Sequence, residues 1–390
     1  MSPQLTSAPA EQAHALMQGF AKRTGLVGDS GDRTRRYLWT DAFAVLNFLA
    51  LTTLDSASDN PQDNVQSFGK LAMRTINQVH FYLGQFAAND PRHGWISGLE
   101  GDNGREHPTV AGLRIGKKMT ERKESERYDP ALEWQRDGQY YHYHTRWIMT
   151  LLKASQYFND QQLAVWAAEL SLAGSRFITE QHGLGPAMCW KMSVDLTRPL
   201  VPAMGAHDPL EGLLCALQAH HQTEQFSQEF SSYIKKLQQL CERSHWATDD
   251  ALGIGCLLVN VVRATELQTY CQLPASVQPG ALLKAAEQGL NTVHHAFAHN
   301  RAAGHRLAFR DCGLSLGLRV LQGNLAFLNE HDTAPQFGAA IWQLADDIEA
   351  FWLDKQHQQA ATFKDHLDIN EVSLAASLLA SATPQLYGRL

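Results

Sequence analysis

The chain has 390 residues, a hydrophobic fraction of 44% and a formal net charge of −7. A chain of this length can bury a large core, and its acidic balance argues against nucleic acid as a partner because phosphate binding needs a basic surface. No stretch approaches the ~18 uninterrupted apolar residues of a membrane span. We therefore expect a protein that binds neither nucleic acid nor membranes.

The start of the sequence and the cysteine spacing both bear on the cell compartment. The segment MSPQLTSAPAEQAHALMQGF lacks the cationic start and the apolar core of a secretory signal. The six cysteines are scattered without a CxxC pair, which is typical of reduced thiols in a large chain. These features predict a cytoplasmic protein. The cysteines are Cys189, Cys215, Cys241, Cys256, Cys271 and Cys312.

Apolar residues recur at helical spacing in twelve windows, whereas strand signals are nearly absent. Turn and stop signals, such as GLGP at 183–186 and LPASVQPG at 273–280, separate the windows. The windows cover approximately 11–23, 40–54, 65–87, 139–158, 160–182, 208–222, 224–244, 249–270, 281–298, 311–330, 335–355 and 369–382.

The windows alternate in character. Every second window, starting with 40–54, is rich in small and apolar residues, as in ALGIGCLLVNVVRA, whereas its partner carries Gln, Glu and Lys, as in QFSQEFSSYIKKLQQLCER. A helix that is apolar all round is buried, and a one-sided helix faces solvent. Six buried and six amphipathic helices predict an all-α (α/α)6 toroid of six helical hairpins, a single domain over 1–390. A helical-repeat solenoid is the rival, but the sequence has no fixed period.

Polar and aromatic residues collect just before each of the six buried windows, and in a toroid these six starts lie on one face. Examples are RRYLWTD at 35–41, EWQRDGQYYHYH before 139–158, and HRLAFRD at 305–311. Helix capping explains the aspartates, but it does not explain the neighbouring tryptophans and arginines. Aromatic rings stack on sugar rings, and carboxylates and guanidinium groups bind hydroxyls. The six starts therefore predict a shared carbohydrate cleft.

Residues 88–138 form a connection far longer than usual, and such connections are often lids. The central stretch, GLRIGKKMTERKESERYD, carries six basic and four acidic side chains. Two interpretations stay open: a solvated flap, or a lid whose Arg114, Lys117 or Lys118 contacts an anionic substrate.

Three segments resemble the superfamily of N-acylglucosamine 2-epimerase and cellobiose 2-epimerase: RYLWTDAF, DPRHGWISGLEGDNG and YHTRWIMTLLKASQYFND. The resemblance implies an (α/α)6 barrel that acts on sugars, and related six-hairpin folds include unsaturated glucuronyl hydrolases. The epimerases use two histidines, each opening an H-x-x-E pattern at the start of an inner helix. Here the corresponding places begin with aspartate, at Asp208 and Asp368, although His207 lies one residue from the first.

This departure favours hydrolysis over epimerisation. Removing a carbon-bound proton suits a base poised near neutrality, as histidine is, whereas two carboxyl groups suit glycosidic hydrolysis. We expect Asp137 or Asp208 to protonate the leaving oxygen and Asp41 or Asp368 to activate water. The alternative is an epimerase or isomerase that uses His207 and His144, and a toroid that binds a sugar or a protein without turnover is a third possibility.

The remaining candidates are substrate-binding residues, and we expect neither a metal nor another cofactor. The expected partner is a small-molecule carbohydrate, and a homodimer is left open. The candidate binding residues are Arg36, Trp39, Trp134, Tyr140, Tyr141, Trp190, Lys191, Asp195, Glu211, Arg310, Asp311 and Glu371.

Overall fold

Long α-helices dominate the computed structural model, which describes residues 7–28, 35–56, 68–181, 185–223, 225–298 and 302–390. The helices are α1 (Ser7–Arg23), α2 (Leu38–Ser56), α3 (Phe68–Leu83), α4 (Gly101–Glu106), α5 (Pro130–Gln135), α6 (Tyr141–Phe158), α7 (Gln161–Ala173), α8 (Asp208–Gln222), α9 (Ser227–Glu242), α10 (Ala251–Leu267), α11 (Pro279–Ala298), α12 (Ala308–Gly323), α13 (Leu325–Glu330), α14 (Ala339–Leu353), α15 (Ala361–Lys364), α16 (Leu367–Ala380) and α17 (Pro384–Tyr387). The strands are β1 (Gln139–Tyr140), β2 (Ile178–Gln181), β3 (Gly185–Met188), β4 (Lys191–Met192) and β5 (Pro199–Val201).

Contacts between residues divide the chain into two compact units. Unit 1 comprises Met1–Arg23, Leu46–Leu71 and His245–Leu390, and unit 2 comprises Thr24–Val45 and Ala72–Ser244.

Unit 2 contains two helical hairpins and two small sheets. Helix α6 packs on α7 and α8 packs on α9, while α6 and α8 also pack on each other. The antiparallel sheet β1–β4–β5 pairs Gln139 with Met192 and Tyr140 with Lys191, and β2 pairs with β3 in a separate hairpin. The first sheet ties the start of α6 to the segment around residue 190.

In unit 1, the buried helices α10, α12 and α16 pack in that order. Each has a partner that is more exposed to solvent: α11 packs on α10, α14 on α12, and α1 on α16. Helix α16 is buried at nearly every position after its first turn, whereas α11 keeps one exposed face. Pairs of one buried and one amphipathic helix are the arrangement that the sequence predicts.

Each of the twelve predicted windows overlaps one of the long helices, but the expectation of almost no strand was incomplete. The strands have only two to four residues, too few to show an alternating apolar pattern. The window 160–182 is also too long, because α7 ends at Ala173 and the chain continues into β2.

Helices α10 and α12 approach so closely that only glycine fits at the contact. A Cβ atom on Gly255 would lie 2.0 Å from the carbonyl oxygen of Gly313, and one on Gly317 would lie 2.4 Å from the carbonyl oxygen of Gly255. Because the obstructing atoms are backbone atoms, a larger residue must push the two helices apart.

We predict that Gly255→Ala lowers the free energy of unfolding by about 1–3 kcal/mol, despite the better helix propensity of alanine. Urea denaturation of the variant measures the change. Gly280→Ala is the matched control, because no atom lies within 4 Å of a Cβ there; its stability should be unchanged or raised by up to about 1 kcal/mol. Equal stability of both variants would contradict the close approach.

Candidate active site in unit 2

Five ring-bearing residues of unit 2 form an aromatic cluster: Trp39, Tyr140, His142, Tyr143 and Trp190. The ring centroids of Trp39 lie 5.4 Å from Tyr143 and 5.7 Å from His142. The rings of His142 and Trp190 stack with an interplanar angle of 16°, and Tyr140 lies 5.2 Å from Trp190. The aromatic cluster thus brings together rings from three segments of the chain: α2, the start of α6 and the residue before β4.

The β1–β4 pairing holds the aromatic cluster in register. Tyr140 pairs with Lys191 in the sheet, and the amide of Tyr141 donates to the carbonyl of Trp190 at 3.2 Å. The amide of Trp190 in turn donates to the carbonyls of Val201 and Ala203. Backbone hydrogen bonds therefore fix the position of Trp190 beside the first turn of α6.

His142 is the histidine that belongs to the aromatic cluster, and its tautomer is set by Trp190. The indole Nε1–H of Trp190 donates to Nδ1 of His142 at 2.9 Å. Burial and the neighbouring Arg146 lower the pKa of His142 to about 3. At neutral pH the ring is uncharged, with the proton on Nε2 as a hydrogen-bond donor.

Beneath the aromatic cluster, three carboxylates are each paired with one arginine. Arg36 lies 3.1 Å from Oδ1 of Asp41. Arg146 lies 2.7 Å from Glu211, with its guanidinium carbon 5.8 Å from the ring of Trp39. All three carboxylates are buried, and such burial requires partners of opposite charge. The third pair is Arg114 with Asp137, at 2.8 Å.

Asp137 also depends on an unusual backbone turn. Its Oδ1 accepts the amides of Gly116 at 3.0 Å and Lys117 at 3.3 Å. Gly116 has a φ of 98°, and a Cβ atom there would lie 2.3 Å from the carbonyl oxygen of Arg36. Only glycine satisfies both conditions, so the turn at 116–117 is shaped around this carboxylate.

Asp208, the first residue of α8, differs from these paired carboxylates. It is buried and accepts the amide of Gly205 at 3.1 Å. Burial, together with the nearby charge of Glu211, raises its pKa to about 7. Glu211 lies one turn further along α8 and pairs with Arg146. His207 occupies the N-cap position of α8 and is half-buried.

Trp134 and Lys117 lie at the exposed edge of the aromatic cluster. Trp134 is 54% exposed, and its ring centroid lies 4.9 Å from that of Trp190. The ammonium of Lys117 lies 5.9 Å from the ring of Trp134 and 5.8 Å from that of Tyr140. The exposed indole gives the cluster an accessible aromatic face.

Two residues predicted from the start of α6 point away from the aromatic cluster. Both Tyr141 and His144 pack against Phe177, because residues three apart lie on the same face of a helix. The hydroxyl of Tyr141 bonds to that of Tyr233 at 2.6 Å. His144 is buried against the backbone of Leu113, with a pKa lowered by burial to about 4. These settings are structural and do not support substrate contact.

Lys191 and Asp195 also have structural partners. The buried ammonium of Lys191 donates to the carboxylate of Glu133 at 2.9 Å and to the carbonyl of Arg136 at 2.9 Å. Asp195 pairs with Arg92 at 3.0 Å and caps its own turn through Thr197. The contacts of Asp195 are with Arg92 and its own turn, whereas the paired ammonium of Lys191 also lies 5.4 Å from the Tyr140 ring of the aromatic cluster.

The predicted residues of unit 1 take part in three separate sets of ion pairs. Asp311 is buried, pairs with Arg306 at 2.8 Å and accepts the indole of Trp352 at 2.9 Å. Burial raises its pKa. Arg310 pairs with Asp250, the N-cap of α10. Asp368 and Glu371, in the first turns of α16, both pair with Arg23 of α1. The carbohydrate cleft predicted to be shared by all six helix starts stays a prediction.

Four further residues lie at this site that were not among the predicted site residues: Tyr37, His142, Tyr143 and Arg146. The hydroxyls of Tyr37 and Tyr143 hydrogen-bond at 2.7 Å. Arg146 lies four residues after His142, on the same face of α6, and that spacing was the available signal.

Within the described ranges, no group of three or more His, Cys, Asp or Glu side chains is arranged to hold a metal ion. Likewise, no described helix combines the length and apolar character needed to cross a bilayer.

No known protein family and no curated protein matches this chain. Solved structures do match. The GH76A α-1,6-mannanase of Salegentibacter sp. HEL1_6 has a TM-score of 0.53 at 11% identity, over 96% of this chain and 99% of the mannanase. An inactive variant of that enzyme in complex with α-1,6-mannotetrose gives 0.51 at 11% identity, over 97% and 99%. Cellobiose 2-epimerase from Spirochaeta thermophila DSM 6192 gives 0.47 at 10% identity, over 96% and 98%.

The likeness to the mannanase confirms the fold class predicted from the sequence, an all-α (α/α)6 toroid. At 11% identity the likeness shows the fold, and function has to be argued from the site.

We predict that Trp190→Phe keeps the stacked ring but releases His142 from its single tautomer, because the donor to Nδ1 is lost. Histidine ¹⁵N shifts of His142 should move toward a mixture of tautomers, and unfolding should become easier by about 0.5–1.5 kcal/mol. Trp166→Phe, which removes an indole donor to the carbonyl of Glu106, should leave the His142 signal unchanged. An unshifted signal in Trp190→Phe would show that this hydrogen bond does not set the tautomer.

Proposed function

We propose that this chain is a glycoside hydrolase in which Asp208 is the general acid. The observation that carries the proposal is the buried carboxyl of Asp208 at the start of α8, which forms no ion pair with any described residue and whose pKa burial raises to about 7. A carboxyl group with this pKa is still partly protonated at neutral pH, as a general acid must be. Asp208 lies one turn before Glu211 along α8, and the Arg146 partner of Glu211 lies 5.8 Å from the ring of Trp39 in the aromatic cluster.

In the reaction, the proton of Asp208 passes to the glycosidic oxygen while the bond from that oxygen to the anomeric carbon breaks. A water molecule adds to the anomeric carbon and gives its proton to a second carboxylate. Within unit 2 the candidates for this base are Asp137 and Asp41, each held in place by an arginine. Anomeric NMR of the first product separates inversion from retention.

The aromatic cluster supports a sugar as the substrate. The exposed face of Trp134 can stack on a pyranose ring, and Nε2–H of His142 can donate to a hydroxyl. The fold likeness to a mannanase whose variant is described in complex with α-1,6-mannotetrose makes α-1,6-linked mannooligosaccharides the first substrates to test. Cellobiose and other neutral disaccharides complete the panel.

The epimerase alternative loses one of its two proposed histidines. His144 is buried against Leu113, so a proton-transferring pair of His207 and His144 has no support from this geometry. Turnover in D₂O distinguishes the two reactions, because epimerisation would introduce deuterium at C2 of a recovered sugar. A toroid that binds sugar without turnover would show neither deuterium nor hydrolysis.

The proposal extends to the cell compartment, the domain organisation and the oligomeric state of the protein. All six cysteines lie in the described ranges and none forms a disulfide bond, which supports a reducing compartment such as the cytoplasm. We also propose that the chain folds as one domain over 1–390, with residues 88–138 acting as a lid over the site. A homodimer stays a prediction for size-exclusion measurements.

We predict that Asp208→Asn lowers hydrolysis by about 10²–10⁴-fold while the fold is kept, because a neutral amide is not harder to bury than a carboxylate. The loss is measured as kcat/KM on whichever oligosaccharide of the panel is cleaved. The control is Asp195→Asn. It changes a carboxylate that bonds to Arg92 and to its own turn, and it should retain activity. Full activity of Asp208→Asn would remove Asp208 from the mechanism.

We further predict that kcat/KM of the unmodified protein falls as pH rises through about 7. The raised pKa keeps Asp208 protonated below this pH, and the acid form is lost above it. The measurement is a pH–rate profile at constant ionic strength. A rate that stays level to pH 9 would contradict the assignment of Asp208 as the acid.

A further inference from the structure

Three basic residues of the segment 88–138 were candidates for contact with an anionic substrate, and the structure separates them. The guanidinium of Arg114 is taken up by Asp137 and by the carbonyls of Gln85 and Tyr82. Lys118 is exposed to solvent. Lys117 alone among the three has its ammonium beside the aromatic cluster.

The partners of Lys117 leave its charge uncompensated at short range. Its ammonium donates to the carbonyl of Trp134, and none of the carboxylates in the described parts of the chain lies within ion-pair distance of it. The arginines near the aromatic cluster differ, because Arg36, Arg114 and Arg146 each have a carboxylate partner. A half-buried ammonium without a counter-charge is unfavourable until an anion arrives.

The protonation of Lys117 reflects this setting. Burial and the positive charge of Lys191 lower its pKa to about 8, while Asp137 acts in the opposite direction. The ammonium lies 5.9 Å from the ring of Trp134 and 5.8 Å from that of Tyr140. An anion bound at this position would stabilise the protonated form.

We propose that the natural substrate is a sugar bearing an oxyanion, a carboxylate or a phosphate, and that Lys117 binds this group while the sugar ring stacks on Trp134. The inference rests on the proposed function and deepens it by naming the substrate class. An ammonium is a compact point charge, which suits either oxyanion. The oxyanion therefore lies at the exposed edge of the aromatic cluster.

The test compares matched sugars by intrinsic tryptophan fluorescence, since Trp134 and Trp190 lie at the site. Methyl glucoside, methyl glucuronide and glucose 6-phosphate differ in the presence and kind of oxyanion. We expect one of the two acidic sugars to bind about tenfold more tightly than the neutral one, with an affinity that falls as salt is added. The acidic sugar that binds more tightly identifies carboxylate or phosphate as the group.

The variants assign this preference to one side chain. In Lys117→Met the affinities for acidic and neutral sugars should become equal, whereas Lys118→Met should keep the preference. Lys117→Arg should keep the preference and hold it to higher pH, because the unmodified protein should lose it as pH rises through about 8. This profile separates a bound charge from a merely structural lysine.

Each other outcome has a distinct meaning. Equal binding of neutral and acidic sugars by the unmodified protein would overturn the inference and leave glycoside hydrolysis intact. A preference that survives in Lys117→Met would overturn the role of Lys117. If no sugar of either kind binds or is hydrolysed, the proposed function fails and the inference fails with it.

Discussion

The constraint that shapes unit 2 is the burial of charge. Asp41, Asp137 and Glu211 are all buried, and each faces one arginine at 2.7–3.1 Å. Removing one partner from such a pair leaves a buried charge and costs about 3–5 kcal/mol. The Arg36–Asp41 pair therefore fixes the start of α2, the Arg114–Asp137 pair spans the turn at 116–117, and the Arg146–Glu211 pair links α6 to α8.

Asp208 and Lys117 form no ion pair with any residue that the structure describes, and they are of opposite sign. Burial acts on each by favouring the neutral form, so the pKa of the carboxyl rises to about 7 and that of the ammonium falls to about 8. Both groups consequently titrate near physiological pH. Groups of this kind cluster at functional sites, and here one suits proton transfer and the other suits binding an anion.

The helical architecture could be predicted from the sequence because a helix with a buried face has apolar residues at helical spacing. The alternation of apolar and amphipathic windows predicted the hairpins, and the fold likeness to a solved mannanase agrees with that prediction. The two-residue strands have no such pattern. Their pairing depends on Tyr140 meeting Lys191 across some fifty residues, and no local pattern encodes that contact.

For the candidate site, the sequence determined which chemistry is present, and only the tertiary structure decided which side chains share a place. The segment YYHYH predicted aromatic rings at the start of α6. It did not predict that Tyr141 and His144 pack against Phe177 whereas His142 stacks on Trp190. In the sequence, Arg114, Lys117 and Lys118 were equivalent candidates for binding an anion. In the structure, Arg114 pairs with a carboxylate and Lys118 is exposed to solvent. The reason is physical: residue identity fixes which charges and rings exist, whereas burial and pairing, which set pKa values and contacts, arise when segments distant in the chain meet.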